Sequence, residues 1–335
     1  VIPPLAPTFE AALRDVQAQQ PRFRGAAATR LAEPPPDRRD DAVRGLLRLA
    51  RDEVGAVREA AYESLGVLGA AESLSVLLDA FDDAHMGARQ TAVLAVGRIS
   101  PEESAGAIAD LLDDARPEMR FSSVWTLSHL GAEHAARIEQ ALVDEDTEIR
   151  ILAMQCLAEL DATGSVDAIA RSLDDSNDLR FAAATALAAL GDSRGAPILR
   201  AALTQADRAF PAAIGLGDLQ DGDSRDALFR LAKHPWRSPI LRAAAARALV
   251  LLGDPEGAEV IRKLVRSWRI EARQYAVELV GELGLTSLVP DLARGFRKGR
   301  KGEWAVYENA LEKLAPESTE AKALLASFRQ ANQSR

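Results

Sequence analysis

The 335-residue sequence contains a single cysteine, Cys156, so neither an internal disulfide nor a cysteine-built metal cluster can form. Histidine is almost as scarce. His85, His129, His134 and His234 are scattered, with no H-E-x-x-H or other ligand spacing, and neither a metal nor a cofactor is expected. No run approaches the roughly 18 consecutive apolar residues of a membrane span. No glycine-rich loop has the strand-to-helix setting that a phosphate cradle needs. Aromatics make up only 5% of a chain that is 47% hydrophobic. The apolar content is therefore mostly Ala and Leu, which suits helices packed closely through small side chains. Lysine is nearly missing too, with 6 Lys against 35 Arg, a bias we read as genome composition. These absences leave no catalytic constellation, and the expectation is a protein that is not an enzyme. Cytoplasmic location is expected, with an initiator Met or longer leader preceding Val1.

What the sequence does have is a period. Arg58, Arg89, Arg120, Arg150 and Arg180 recur every 30 or 31 residues, and Arg242 and Arg273 resume the beat after Pro211 interrupts it. Six residues before each of the first five stands an aspartate: Asp52, Asp83, Asp114, Asp144 and Asp174. Self-similarity at this spacing means one supersecondary unit stacked many times. With Arg as position zero, apolar or small residues fall one before and three, seven and ten after it. Val57, Ala61, Leu65 and Leu68 form one such set, and Ile149, Ala153, Leu157 and Leu160 another. At about 100° per residue these share one helical stripe. Gly69, Gly131, Asp161, Gly191 and Gly253 follow, as helix C-termini prefer. A shorter apolar segment precedes each Asp, so the unit reads helix, Asp-bearing turn, helix.

The D-x5-R spacing, the V-R-x-x-A-x-x-x-L-x-x-L-G helix and the period resemble HEAT-like repeats, in particular the short bacterial type also found in phycobilisome lyases. The resemblance covers roughly residues 8–314. It implies an all-α, right-handed α-α superhelix of about ten helical hairpins, with the Arg-bearing helices lining a concave face. It also implies that the ten Asp and Arg residues form a structural ladder of hydrogen bonds between adjacent units. Deoxyhypusine hydroxylase, a HEAT-like enzyme, holds iron through His-Glu pairs that this chain lacks. Cys156 falls six after Arg150, where other units carry Ser64, Ala95, Thr126 and Ala186, and is expected to pack rather than react.

Five segments are expected. Residues 1–36 form an N-terminal capping repeat and Pro-rich linker, and 37–194 are regular acidic repeats. Residues 195–223 form an irregular repeat, a candidate hinge, in which Gln205 and Pro211 replace the ladder pair. There Gly215 and Gly217 lie inside the helix, and Asp218 occupies an expected core position. Residues 224–316 are basic repeats, and 317–335 a capping helix and tail. Charge divides similarly. Residues 230–307 hold 15 basic and 8 acidic side chains, so the remainder carries −16 within a net charge of −9.

Two surfaces stand out. Positions one, five and eight after the Arg are expected to face the groove, and they become apolar at Leu94, Phe121, Trp125, Ile151 and Phe181. Such a patch suits a partner's amphipathic helix or extended segment. The structural alternative is that curvature packs these side chains against the next repeat. In the basic repeats, Trp236, Trp268 and Trp304 are interleaved with Arg237, Arg242, Arg247, Arg266, Arg269 and Arg273 and with the loop that holds Lys298, Arg300 and Lys301. This second set suits an acidic protein segment, or stacked bases and phosphates, or rings that merely fill wide turns. It is reminiscent of a HEAT-like family of alkylpurine DNA glycosylases. The expected function is a scaffold or adaptor binding a protein segment in the groove. A lyase- or chaperone-like factor holding a cofactor or client is the alternative, and nucleic-acid binding comes third.

Overall fold

A short amphipathic helix cannot bury its stripe alone and must stack against copies of itself. The computed structural model, which describes residues 8–298 and 303–333, shows how the copies meet. All regular structure among the described residues is helical, and the chain divides into two compact units between Ala168 and Ile169. The first unit pairs α1 (Phe9–Asp15) with α2 (Pro21–Leu31) and α3 (Arg39–Leu49) with α4 (Gly55–Val67). It continues with α5 (Leu74–Asp79) and α6 (Met86–Ile99), α7 (Pro101–Asp110) and α8 (Pro117–Leu130), then α9 (Ala135–Ile138) and α10 (Thr147–Glu159). Helix α11 (Val166–Ala170) runs across the division. The second unit contains α12 (Asn177–Ala189), α13 (Ala196–Ala202) with α14 (Ala209–Asp218), and α15 (Arg225–Lys233) with α16 (Pro239–Leu251). Helices α17 (Pro255–Val265) and α18 (Ile270–Glu282) follow, then α19 (Val289–Lys298), α20 (Trp304–Leu314) and the closing α21 (Thr319–Gln333).

Within each unit the second helices of successive pairs pack directly on one another. Their stripes are buried as the period requires. Met119, Ser123 and Leu127 are fully covered, as are Ile149, Ala153 and Leu157, while the position ten after the Arg is only half-buried. Ser123 is tolerated in the core because its hydroxyl donates to the Ile108 carbonyl at 2.6 Å. The residue eleven after the Arg ends the helix in the left-handed region, at Gly69 (φ 58°), Asp161 (φ 52°) and Gly191 (φ 78°).

Position eight does not face a groove. It meets position six of the next second helix: a Cβ on Gly66 would lie 2.9 Å from the Ala95 Cα, and one on Gly281 2.8 Å from the Ala310 Cα. Small residues there let neighbouring backbones approach. This contact also corrects the register of the irregular repeat. A Cβ on Gly217 would lie 2.8 Å from the Ala248 Cα, which makes Gly217 a position eight and Ala209, not Pro211, the position zero. On that count Ala212 and Leu216 fill the buried stripe, Gln220 takes the left-handed cap (φ 50°), and Asp218 lies off the core, paired with Arg247 at 2.8 Å. Pro211 then stands in the first turn of α14, where a missing N–H costs little. The expected core vacancy at Asp218 is therefore an error of phase.

Candidate interaction surfaces

The Asp and Arg ladder fixes the turns that lead into the second helices. Four of the five Asp residues close their own turn by accepting the N–H two residues on: Asp52 from Val54 at 2.9 Å, and Asp83 from His85, Asp114 from Arg116 and Asp144 from Asp146, all at 2.8 Å. The carboxylate of Asp52, Asp83 and Asp144 is then free on the other side for the arginine of the preceding repeat. Arg58 donates to Asp83 at 2.6 and 2.5 Å, and Arg120 to Asp144 at 2.8 and 2.9 Å. To Arg58, Arg89 and Arg120 the Asp six residues upstream offers its backbone carbonyl, Asp52 O to Arg58 and Asp83 O to Arg89 at 2.7 Å and Asp114 O to Arg120 at 2.9 Å. A carbonyl can come from any residue. Arg24 accordingly uses the Ala18 and Gln19 carbonyls, both at 3.0 Å, while pairing with Asp52.

The pattern is not uniform. Arg89 pairs with Glu118, since Asp114 is held by Arg116 at 2.8 Å. That guanidinium keeps the Asp114 carboxyl at about 2. Asp174 is exposed, Arg150 is half-buried, and Arg180 donates to the Leu173 and Asp175 carbonyls. Arg273 pairs with Glu303 instead of an aspartate, at 2.7 Å. Neither Glu118 nor Glu303 keeps the six-residue spacing, so the repeat pattern does not mark them.

Of the five apolar residues, four lie in the first unit. Phe121 and Trp125 are one turn apart on α8 and are 38% and 41% exposed. Leu94 on α6 holds the same register as Trp125, and Ile151 on α10 that of Phe121, but both are half-buried. The Trp125 ring tilts against His129 with centroids 4.5 Å apart, and His129 Nδ1 lies 2.8 Å from the Trp125 carbonyl oxygen. Phe181 stands in the second unit. It is half-buried against that unit's core, and the Arg208 guanidinium covers its ring at 4.9 Å. It is not an open apolar group.

The second set also divides. Trp236 and Trp268 project from the turns before α16 and α18, 89% and 83% exposed. Together with Arg237 and Arg269 they line one cleft of about 420 Å³. Trp304 does not join them. It opens α20, is half-buried, and meets Phe328 of α21 edge-on at 5.7 Å, so it belongs to the terminal core. Arg247 leaves the surface as well, held by Asp218 and Glu282 at 2.8 and 2.9 Å. Arg300 and Lys301 lie outside the described residues, as does the side chain of Lys298 at the end of α19. Arg242, expected beside these tryptophans, does line the cleft, and one further cleft residue, Lys263, is absent from the expected site. The stretch around Trp236 and Arg242 is free of acids, with no Asp or Glu between Asp226 and Asp254, whereas Lys263 lies beyond it, after Glu256 and Glu259.

Cys156 is buried and beside Ser128, the position eight that faces it, and burial pushes its thiol above the ordinary value. No group of three or more His, Cys, Asp or Glu among the described residues could hold a metal ion. No helix there is long and apolar enough to cross a membrane.

Stacked helical pairs of this kind, tied by turn aspartates and helix arginines, define an α-helical repeat protein. The family model for HEAT repeats matches residues 6–90, 135–211 and 210–279, and the chain belongs to that family. Among solved structures it is similar to the complex of CpcE and CpcF of phycocyanin lyase from Nostoc sp. PCC7120. That likeness has 21% identity and a TM-score of 0.54, covering 67% of this chain and 94% of that one. It is also similar to YibA from Escherichia coli, with 17% identity and a TM-score of 0.55, covering 72% of this chain and 92% of that one. At such identities the likeness shows the fold alone. No curated protein matches the chain in sequence.

Proposed function

We propose that this HEAT-repeat protein is a non-enzymatic scaffold that takes a partner's protein segment on the face of α8. The observation that carries this reading is the pair Phe121 and Trp125, two large aromatics on one helical stripe, each about two-fifths exposed. Aromatic anchors of this kind are where interface energy concentrates. Leu94 and Ile151 extend the apolar register to the helices on either side. The first unit, by sequence count through Ala168, carries 29 acidic and 16 basic side chains, so a segment with basic flanks suits it. The similar phycocyanin lyase structure is itself a complex of two chains.

Affinity capture from lysate, read by mass spectrometry, tests the reading. The wild type is compared with a Phe121→Glu/Trp125→Glu variant of equal helicity and with Phe181→Glu. A partner should be lost from the double variant and kept by Phe181→Glu, whose ring is already covered. Equal recovery by all three retires the α8 site. The lyase- or chaperone-like alternative predicts a bound chromophore or client on the purified chain, visible by absorbance or mass.

A further inference from the structure

The turns leading into α16 and α18 carry groups the fold does not use. Large rings ordinarily stabilise a protein through burial, yet Trp236 and Trp268 bury almost nothing. Neither ring fills its turn. They flank one cleft within a single compact unit, and no Asp or Glu lines it. Its cations are Arg237, Arg242, Lys263 and Arg269. Arg237, Lys263 and Arg269 make no ion pair among the described residues, and Arg242 places only its Nε, on the Ala232 carbonyl at 3.0 Å. In a chain of net charge −9 such a cluster is held apart from its natural counter-charges. Both helices also begin beside the cleft without a side-chain cap, at Ser238 and Arg269. Their first N–H groups add positive potential to it.

We infer that this cleft binds a short acidic protein segment bearing an apolar anchor for the two indoles. The Arg269 guanidinium lies over the Trp268 ring at 5.3 Å. A stacked guanidinium covers one face of the ring and presents its edge donors, the arrangement that receives a carboxylate in two parallel bonds. That same cover takes a face which a stacking base would need. The extent of the surface points the same way. The corresponding turns upstream in this unit expose Asp174, Asp175, Asp178 and Asp207, so a longer polyanion would run from bases onto acids. Successive helices pack roughly 10 Å apart and an extended chain advances about 3.3 Å per residue. A segment of some three to six residues therefore spans the two turns. The site shares no residue with the α8 face, so either can fail without the other.

The test is selection of a random octapeptide display library on the full chain, with Trp236→Ala/Trp268→Ala and Arg237→Glu/Arg269→Glu as parallel baits. An eight-nucleotide oligo(dT) serves as the competing probe. The wild type should enrich peptides in which Asp and Glu surround a proline, aromatic or leucine. Those peptides should shift tryptophan emission to the blue and bind more weakly as salt rises. Either variant should bind them at least tenfold more weakly while keeping the wild-type circular dichroism, since Trp236, Trp268 and Arg269 are exposed and the half-buried Arg237 is not part of the apolar core. No enrichment, enrichment of neutral or basic peptides, equal binding by the variants, or tighter binding of oligo(dT) than of the selected peptides would each overturn it.

Discussion

The contact between position eight of one helix and position six of the next makes a prediction that runs against helix propensity. Replacing a helical glycine by alanine ordinarily gains about 0.8–1 kcal/mol. At Gly97 the new Cβ would lie 2.5 Å from Thr126 Cγ2, too close for the two helices to keep their spacing. Overpacking of this kind costs about 1–3 kcal/mol, so Gly97→Ala should cancel the propensity gain and destabilise by up to about 2 kcal/mol. The obstacle is one methyl group. Beyond it the nearest atoms are Ile108 Cδ1 at 3.6 Å and Leu130 Cδ2 at 3.7 Å, both ordinary contacts. Thr126→Ala removes that methyl together with a buried hydroxyl that has no hydrogen-bond partner, and alone should be close to neutral. The double variant should then recover the loss, with a coupling of about 1–3 kcal/mol. Gly106→Ala is the control, since nothing lies within 4 Å of its Cβ, and it should stabilise. Gly217→Ala is the opposite limit. Its obstacle is the Ala248 Cα, so Ala248→Gly should not rescue it. Repeat arrays do not unfold as one unit, so the readout is hydrogen exchange resolved to α6, α8 and α14, alongside urea melts. A Gly97→Ala variant as stable as Gly106→Ala, or one not rescued by Thr126→Ala, refutes the close-packing argument.

Two further outcomes follow from the titrating groups. Burial alone would raise the Asp144 carboxyl, but the Arg120 guanidinium and the Asp146 N–H outweigh it and hold the group below its ordinary value; Asp52 and Asp83 behave alike. A carboxylate depressed in the folded state contributes stability that is complete above its unfolded value, near pH 4, and is lost as pH falls through the folded value. Helicity should thus be flat from pH 7 to about 4 and decline towards about 2, where Asp114 titrates. Asp144→Asn should shrink that decline and cost about 3 kcal/mol at neutral pH, because it leaves a nearly buried Arg120 with only the exposed Glu145 carboxylate, at 3.2 Å, as its counter-charge; an acid profile identical to wild type counts against the ladder as a source of stability. Cys156 is covered and its thiol raised by burial, so a thiol reagent at pH 8 should label it only on denaturation. Rapid labelling of the native chain would contradict the packing assigned to it.

The helical hairpin, its stripe and its caps were legible because each is a local property repeated many times. A single period of about 30 residues carries Val57, Ala61 and Leu65 to the core, and every later copy repeats the statement. That the ladder runs between adjacent units came from the resemblance to HEAT-like repeats and not from the spacing itself. Asp and Arg six residues apart invite pairing within the repeat, yet the arginine takes only a backbone carbonyl there and reaches forward for its carboxylate. Nothing in the spacing distinguishes the two, and Ala18, which serves Arg24 through its carbonyl, is the residue that makes the difference visible. The irregular repeat departs from the sequence expectation for a related reason: a phase set by the missing arginine is two residues out, whereas the glycine that meets the next helix is in place at Gly217.

The exposed aromatics show where a period stops informing. Three tryptophans near the starts of α16, α18 and α20 look equivalent in sequence, but their phases differ. Trp236 stands six before Arg242 and Trp268 five before Arg273, both in the turn, while Trp304 begins its helix 31 residues after Arg273, on the position where an arginine would stand. A turn position projects its ring to solvent, and the zero position turns it towards the neighbouring helix, here α21. The same reasoning separates Phe181 from Phe121. They share a position, but Arg208, which begins the displaced register of the irregular repeat, lies over the Phe181 ring. A change of two residues in the phase of one helix therefore decides whether an aromatic in the preceding repeat is offered to a partner. Exposure in a repeat array is set by the neighbour's phase, so a site on it is read from pairs of repeats and not from one.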